Sequence, residues 1–289
     1  MRKVAVMTDT VASVPLKIQK EYGIGVIPFH IIMDDKDYLE TEINMNYLYT
    51  RLKDKENLPT TSFPSSEEYL QFYRKLSQNA EAILHISVTA AFSGAYKAAL
   101  QAREMAKKKL PKTTIEVIDS KTVEGPQFFL TLEAARAAAQ GRNLDEVKQL
   151  VTNMIPRLNE FSTRDTLFYL DKGGRVCEAK LWAEAEASSS FRAIVGIDAS
   201  TGRITKPIAR SKARSQIMDK LVDITRERAG DKKLHFAIAH ANIPEQAEQL
   251  KQKILSSFQC EKFYILEIPP VVAIHNGEGL IDCGFYGTD

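Results

Sequence analysis

Residues 83–100, which read ILHISVTAAFSGAYKAAL, decide the fold of this chain. The apolar run at 83–87 is typical of a buried strand, and a helix is predicted to begin at Ala95, directly after Gly94. The turn between them carries hydroxyl groups and places Ser93 beside the first turn of the helix. Because the first backbone N–H groups of a helix lack partners and lie at the positive end of its dipole, this turn is predicted to bind an anion. The alternative is that Ser93 only caps the helix.

Two further predicted strands also end in small polar residues. The strand at 4–8 is followed by Asp9 and Thr10, and the strand at 114–118 is followed by Asp119. Ligands of open parallel sheets gather at the carboxyl ends of the strands, so the first half is predicted to hold one parallel sheet with one ligand edge. Asp9 and Thr10 are candidate site residues at this edge, and capping of the next helix is their alternative role.

The length of 289 residues exceeds one typical domain and predicts two. A long predicted helix ends before a new strand expected at 166–170, which places the domain boundary after Asn159, with domains at 1–159 and 160–289. In the second half a hairpin turn is predicted at 199–202, between two strands. The predicted fold class is α/β, with a parallel sheet in the first domain and a mixed sheet in the second.

The composition excludes several classes of protein. Lys and Arg number 39 against 37 Asp and Glu, a balance that argues against nucleic acid as a partner. Three widely spaced cysteines argue against a disulfide framework, and no zinc-ligand spacing is present, so no metal or cofactor is expected. No signal peptide and no apolar run of roughly 20 residues is found, so a cytoplasmic protein is expected.

Three other features are candidates for chemistry. The hydroxyl residues Thr60, Thr61 and Ser62 follow Pro59 and are predicted to form a rigid loop that presents hydrogen-bond donors, with a simple turn as the alternative.

The other two features lie in the second half. His275 stands between an apolar run and a glycine-rich turn, a setting typical of a histidine at a pocket mouth. Arg175 follows paired glycines that would let its guanidinium approach an anion or the other domain.

The strong catalytic motifs are missing from the sequence. Neither a P-loop nor a dinucleotide-binding glycine fingerprint occurs. Ser93, Asp119 and His275 do follow the chain order of the α/β-hydrolase triad, although Ser93 lacks the two flanking glycines of a nucleophile elbow. A Ser-His-Asp esterase is therefore a competing hypothesis, and a sensory or interaction module with a vestigial pocket is a third.

Six segments together resemble the DegV family of bacterial fatty-acid-binding proteins, the acyl carriers of fatty acid kinase systems. The segments occur in family order and span the whole chain. They include TSFPS, FSGAY, YLDKGGR and the terminal HNGEG. Their positions are 4–15, 61–65, 92–96, 117–120, 169–175 and 275–279.

The resemblance implies two α/β domains with a long acyl tunnel between them, in which the protein binds a long-chain fatty acid. A separate, DhaK-like fatty acid kinase would then phosphorylate the carboxylate, so the chain itself would be a carrier and not an enzyme. Apart from the bound fatty acid no cofactor is implied, and transient contact with a membrane is allowed. The residues implied around the carboxylate are Thr61, Ser62, Ser93, Gly94, His275 and Gly277, with Asp9, Thr10 and Arg175 as accessory residues.

Some positions depart from the family pattern. Thr10 replaces a serine, Ala95 replaces a threonine, and Glu278 stands where a proline is common. A glutamate at this position would repel a bound carboxylate unless its side chain faces solvent. The segment at 183–190 is also more polar than the apolar helix expected along a tunnel.

Overall fold

The computed structural model describes residues 2–186, 188–189, 191–198 and 203–288. Strands and helices are interspersed along the described chain. The described strands are Arg2–Asp9 (β1), Gly25–Ile27 (β2), His30–Met33 (β3), Lys36–Leu39 (β4), Thr60–Ser62 (β5), Ala80–Ser87 (β6), Thr114–Asp119 (β7), Asn159–Thr163 (β8), Arg192–Asp198 (β9), Arg203–Ser211 (β10), Lys233–His240 (β11), Cys260–Glu267 (β12) and Ile281–Thr288 (β13). The described α-helices are Leu16–Tyr22 (α1), Met45–Leu52 (α2), Ser66–Ser77 (α3), Ala95–Lys109 (α4), Glu124–Ala139 (α5), Leu144–Met154 (α6), Phe168–Lys172 (α7), Lys180–Glu186 (α8), Arg214–Ala229 (α9), Pro244–Ser257 (α10) and Pro270–Asn276 (α11).

Two main sheets form the fold, one in each half of the chain. The first sheet has the order β2-β1-β6-β7 and is parallel throughout. The second has the order β10-β9-β8-β13-β11-β12 and is antiparallel except for the β11–β12 pair. The predicted α/β class, with a parallel and a mixed sheet, is confirmed. The first sheet ends before β8 begins, while the division into domains at 1–159 and 160–289 stays a prediction.

Helix α5 lies between the two sheets. It is apolar around most of its circumference, which is typical of a helix buried on all sides. Its amino-terminal end packs on the mixed sheet, where a Cβ placed on Gly284 would lie 2.4 Å from Cδ of Pro126. The close approach therefore requires a glycine in β13 at this point. One hydrophobic core joins α5 to residues of both halves.

The strand predicted at 166–170 is wrong. This apolar run begins helix α7, and the strand lies earlier, as β8. The interior strand β13, which pairs with both β8 and β11, was not predicted at all. Both errors have one physical cause, since the strand positions facing α5 carry Glu160 and Ser162 in β8 and Asp282 in β13 instead of apolar side chains.

The predicted loop at Thr60–Ser62 is also wrong. These residues form β5, which pairs with β3 in a small antiparallel sheet of order β4-β3-β5. The strand is only three residues long, so no alternation pattern could identify it. The predicted hairpin turn at 199–202 lies outside the described residues, and of the polar segment at 183–190 residues 187 and 190 do so as well.

Candidate functional site

A cavity of about 810 Å³, part of it open to solvent, lies between the carboxyl end of the parallel sheet and the mixed sheet. Both halves of the chain contribute to its lining, through residues up to Glu124 and from Glu160 onward. Much of the lining is apolar, and this part includes Val11, Phe29, Val88, Ile197, Val271 and Leu280. Four of the predicted site residues also line it, namely Thr61, Ser93, Arg175 and His275. We call these four residues the head end of the cavity.

His275 occupies the last turn of α11 and faces β5. Its Nε2 lies 2.8 Å from Oγ1 of Thr61, within hydrogen-bond distance. Its Nδ1 is buried and has no hydrogen-bond partner in the described part of the chain. Burial, with a smaller contribution from the positive charge of Arg175, lowers the pKa of His275 to about 3. The imidazole is therefore neutral at neutral pH and offers one donor and one acceptor.

Ser93 lies at the amino-terminal end of α4. Its Oγ accepts a hydrogen bond from the backbone N–H of Ala95 at 3.2 Å, while the N-cap residue of the helix is Gly94. The Ser93 side chain also lines the cavity. A Cβ on the neighbouring Gly94 would lie 2.5 Å from the ring of Phe63, another lining residue. Gly94 thus makes room for this aromatic ring.

Arg175 links the two halves of the chain at the head end. Its Nε donates to the backbone carbonyl of Phe92 at 3.1 Å, and one terminal nitrogen donates to the carbonyl of Gly173. Burial lowers the pKa of this guanidinium, which nevertheless stays protonated at neutral pH. The head end consequently combines one fixed positive charge with two hydroxyls and a neutral imidazole.

The remaining predicted residues lie off the cavity lining. The buried carboxylate of Asp9 accepts from the backbone N–H of Val88 at 2.7 Å and from Nε2 of Gln127 at 3.0 Å. Burial raises the pKa of Asp9 to about 7. Thr10 donates to the buried carboxylate of Glu40, and Ser62 makes only a long contact, 3.4 Å, with the next carbonyl.

The terminal glycine-rich turn contains Gly277 and Glu278. Gly277 ends α11 with a φ of +72°, and a Cβ there would lie 2.4 Å from the ring of Tyr169. Glu278 is exposed, and its carboxylate accepts from Nδ2 of Asn242 at 2.7 Å. Glu278 is not among the residues that line the cavity, so the repulsion of a bound carboxylate considered from the sequence is not expected.

The hydrolase arrangement of Ser93, Asp119 and His275 is not assembled. The carboxylate of Asp119 accepts from the backbone N–H groups of Ala90 and Lys121, at 3.1 and 2.9 Å. Since Nδ1 of His275 has no partner among the described residues, no carboxylate orients the imidazole as a triad requires.

Sequence reasoning missed a second group of charged residues in the cavity lining. Glu124, Glu160, Arg164 and Asp282 all line it, and each is at most 6% exposed. We call these four residues the floor cluster. Residues 160, 162 and 164 are all polar. Polar residues at every second position can indicate a strand whose polar face lines a cavity.

The floor cluster is electrostatically crowded. Burial, and next the charge of Glu160, raises the pKa of Glu124 to about 8. Burial and the same neighbouring glutamate also raise the pKa of Asp282 well above its ordinary value. Arg164 supplies a positive charge to the cluster, and burial lowers the pKa of its guanidinium. At neutral pH the cluster therefore holds a protonated Glu124 beside the charged guanidinium of Arg164.

Neither a metal cluster nor a membrane span is found in the described ranges. No group of three or more His, Cys, Asp or Glu side chains there has the arrangement of a metal site. None of the helices in that part of the chain combines the length and the hydrophobicity that crossing a bilayer requires.

The fold and the cavity define an α/β protein with a parallel sheet, a mixed sheet and a largely apolar cavity that ends in polar groups. The chain belongs to the DegV family, because the family model described as "Uncharacterised protein, DegV family" matches residues 3–287. The family resemblance identified from the six sequence segments is confirmed.

Curated relatives carry the same family name. A DegV domain-containing protein of Streptococcus pyogenes serotype M1 is 28% identical over 276 residues, which cover 94% of each chain. Another, from Streptomyces coelicolor, is 28% identical over 284 residues and 97% of each chain. The similarity thus extends over both halves.

Solved structures of the family share the fold over the whole chain. A DegV-family protein from Thermus thermophilus, whose structure is described as binding fatty acid, superposes with a TM-score of 0.89 at 21% identity and covers 100% of both chains. A stearic acid-binding protein from Eubacterium ventriosum gives 0.88 at 19% identity, covering 99% of this chain and 98% of its own. DegV of Bacillus subtilis, described as a fatty acid binding protein, gives 0.85 at 23% identity over 100% of both chains.

Proposed function

We propose that this protein binds one long-chain fatty acid in its cavity, with the carboxylate at the head end. The observation that carries the proposal is the position of Thr61, Ser93, Arg175 and His275 together at one end of a largely apolar cavity. Hydroxyls, an imidazole N–H and a guanidinium all donate to a carboxylate, and hydrogen bonds to a charged acceptor are the stronger kind. Burial of the hydrocarbon would add about 0.8 kcal/mol for each CH₂ group.

Exposure differs between the two ends and supports a role in presenting the carboxylate. Thr61, Ser93 and His275 are all partly exposed, and the lining residue Phe63 is 41% exposed. The floor cluster is buried. A bound carboxylate would therefore lie at the accessible end, where a separate kinase could phosphorylate it to an acyl phosphate. Because such a kinase uses ATP, the proposal places the protein in the cytoplasm.

The family relationship is a second support. Several solved relatives are described as fatty acid binding, and they share this fold at TM-scores of 0.85 to 0.89. The proposal also treats the protein as a carrier without catalytic activity of its own, which agrees with the incomplete triad around His275.

Native mass spectrometry of freshly purified protein, followed by organic extraction, tests the proposal. We expect one long-chain fatty acid per chain in the native spectrum, released on denaturation. A protein that carries no lipid and does not bind added palmitate or oleate would refute fatty acid binding. Turnover of a nitrophenyl ester that is lost in Ser93→Ala would instead support the esterase hypothesis.

A matched pair of variants locates the carboxylate. Thr61→Val removes a head-end hydroxyl while keeping the shape of the side chain, and Thr60→Val makes the same change at an exposed position of the same strand. We expect palmitate affinity to fall about tenfold in the first variant, the effect of losing one hydrogen bond to a charged group, and to be unchanged in the second. Equal affinities would place the carboxylate elsewhere.

The presentation step needs a kinase assay. Purified fatty acid kinase of the DhaK-like type, with ATP and the palmitate-loaded protein, should yield an acyl phosphate that depends on this protein. Formation of the same product at the same rate from free palmitate would remove the need for a carrier.

A further inference from the structure

The floor cluster contains two buried polar atoms that lack partners among the described residues. Nε of Arg164 and Oδ1 of Asp282 each have no hydrogen bond, although their residues are only 5% and 1% exposed. The rest of each side chain is held in place. Arg164 donates to Oγ of Ser162 at 2.6 Å, and Oδ2 of Asp282 accepts from the backbone N–H of Gly125 at 3.4 Å. The carboxyl groups of Asp282 and Glu160 are also hydrogen-bonded to each other.

Strand pairing brings these two groups to one face of the mixed sheet. Asp282 in β13 pairs directly with Ser162 in β8, and Ser162 is the hydroxyl that Arg164 contacts. Both side chains line the same cavity as the head end. A plain alkyl chain against this surface would leave a buried donor and a buried acceptor unpaired, which is unfavourable for binding.

The charges of the cluster limit what could pair with these atoms. The guanidinium of Arg164 disfavours a cationic group on the ligand, and a second anionic group would meet the negative charge that Glu160 contributes to the cluster. A neutral hydroxyl accepts one hydrogen bond and donates another, so it can pair with Nε–H of Arg164 and with Oδ1 of Asp282. The raised pKa of Glu124, about 8, also keeps the cluster closer to neutrality.

We propose that the preferred ligand is a fatty acid with a hydroxyl group on its hydrocarbon chain, which Arg164 and Asp282 bind at the floor of the cavity. This inference rests on the proposed function and specifies the ligand class of the same site. The head end would recognise the carboxylate, and the floor cluster would distinguish a hydroxylated chain from a plain one. A site that hydrogen-bonds a ligand hydroxyl discriminates strongly against the analogue that lacks it.

Competition on the unmodified protein provides the test. Native mass spectrometry is recorded with equimolar ricinoleate and oleate, and then with equimolar ω-hydroxypalmitate and palmitate. Each pair differs in mass by one oxygen atom, so both complexes are resolved in one spectrum. We expect the hydroxylated acid to be preferred at least about tenfold in one or both pairs.

The other outcomes separate this inference from the proposed function. Equal binding, or preference for the plain acid in both pairs, would overturn the hydroxyl inference and leave fatty acid binding intact. Absence of binding by all four acids would overturn both. A preference that survives in the double variant described next would overturn the assignment to Arg164 and Asp282.

The double variant Arg164→Met/Asp282→Leu replaces both hydrogen-bonding groups by apolar ones, so that neither is left as an unpaired charge. We expect it to bind palmitate but to lose the preference for the hydroxylated acid. Lys206→Met, an exposed residue of β10, is the matched control and should keep the preference. Circular dichroism establishes whether each variant is folded, and the competition on the unmodified protein decides the inference if the double variant is not.

Discussion

The two ends of the cavity differ in exposure, charge and origin. The head end is partly exposed and consists of hydroxyls, a neutral imidazole and one arginine, supplied by a short strand, helix ends and a turn. The floor cluster is buried and consists of three carboxyl groups and one arginine around the β8 and β13 strands. Under the functions proposed above, this difference separates two tasks: the head end would bind the carboxylate, and the floor cluster would select among carboxylic acids.

The largest effect is expected on stability, from a substitution at Gly284, where α5 packs on β13. Gly284→Val would place a Cβ 2.4 Å from Cδ of Pro126 and 2.8 Å from its backbone nitrogen, so α5 would have to move. Overpacking of this kind costs about 3 kcal/mol or more. Urea denaturation should show a correspondingly lower midpoint.

Gly141→Ala is the control for this change. Its Cβ would meet no atom within 4 Å, and only its φ of +84° opposes the substitution, at a cost of about 1 kcal/mol. If the Gly284 variant is no less stable than this control, α5 is not anchored on β13 as described.

At the head end the expected effect is on binding. His275→Ala removes a buried neutral imidazole that contacts Thr61, and palmitate affinity should fall at least about tenfold. Isothermal titration measures this loss, while thermal unfolding checks that the fold persists. His30→Ala is the control, because His30 pairs with the exposed carboxylates of Asp37 and Glu68 and does not line the cavity. Unchanged affinity in the His275 variant would show that this histidine does not bind the carboxylate.

Glu124 of the floor cluster should contribute to the pH dependence of stability. Glu124 has a pKa of about 8 in the folded chain against 4.5 ordinarily, so the folded state keeps a proton that the unfolded chain releases. Stability is therefore lost as pH rises from about 4.5 to about 8, by about 1.4 kcal/mol per pH unit for one proton. Urea denaturation of Glu124→Gln across this range should give a shallower decline. A decline as steep as in the unmodified protein would show that Glu124 is not protonated in the fold.

The smallest effect is expected at Arg175. Arg175→Lys keeps the charge but loses the Nε contact to the carbonyl of Phe92, so palmitate affinity should fall only about threefold. Lys172→Met changes an exposed residue of the preceding helix and should leave affinity unchanged. A loss of a hundredfold or more in the Arg175 variant would instead make the guanidinium the main anchor of the carboxylate.

The same contrast explains what could be predicted from the sequence. The parallel sheet and the head-end residues Ser93 and His275 stand out because local motifs mark them: an apolar run, a hydroxyl turn, a glycine-rich terminus. The position of β5 could not be predicted, because a strand of three residues has no periodicity and is defined by its pairing with β3.

The floor cluster could not be predicted because it depends on pairing between distant segments. Glu160 and Asp282 are brought together only by the register of β8 with β13. Their acidic side chains also interrupt the continuous apolar run that is typical of a strand buried on both faces, so the two strands lacked this sequence signal.

The most direct test of the account is the orientation of the bound ligand. Palmitate labelled isotopically at its carboxyl carbon should give one bound NMR resonance. We predict that Thr61→Val and Ser93→Ala, at saturating ligand, shift this resonance, while Glu124→Gln leaves it in place. A resonance that moves with Glu124→Gln and ignores both head-end variants would put the carboxylate at the floor beside Arg164 and contradict the account.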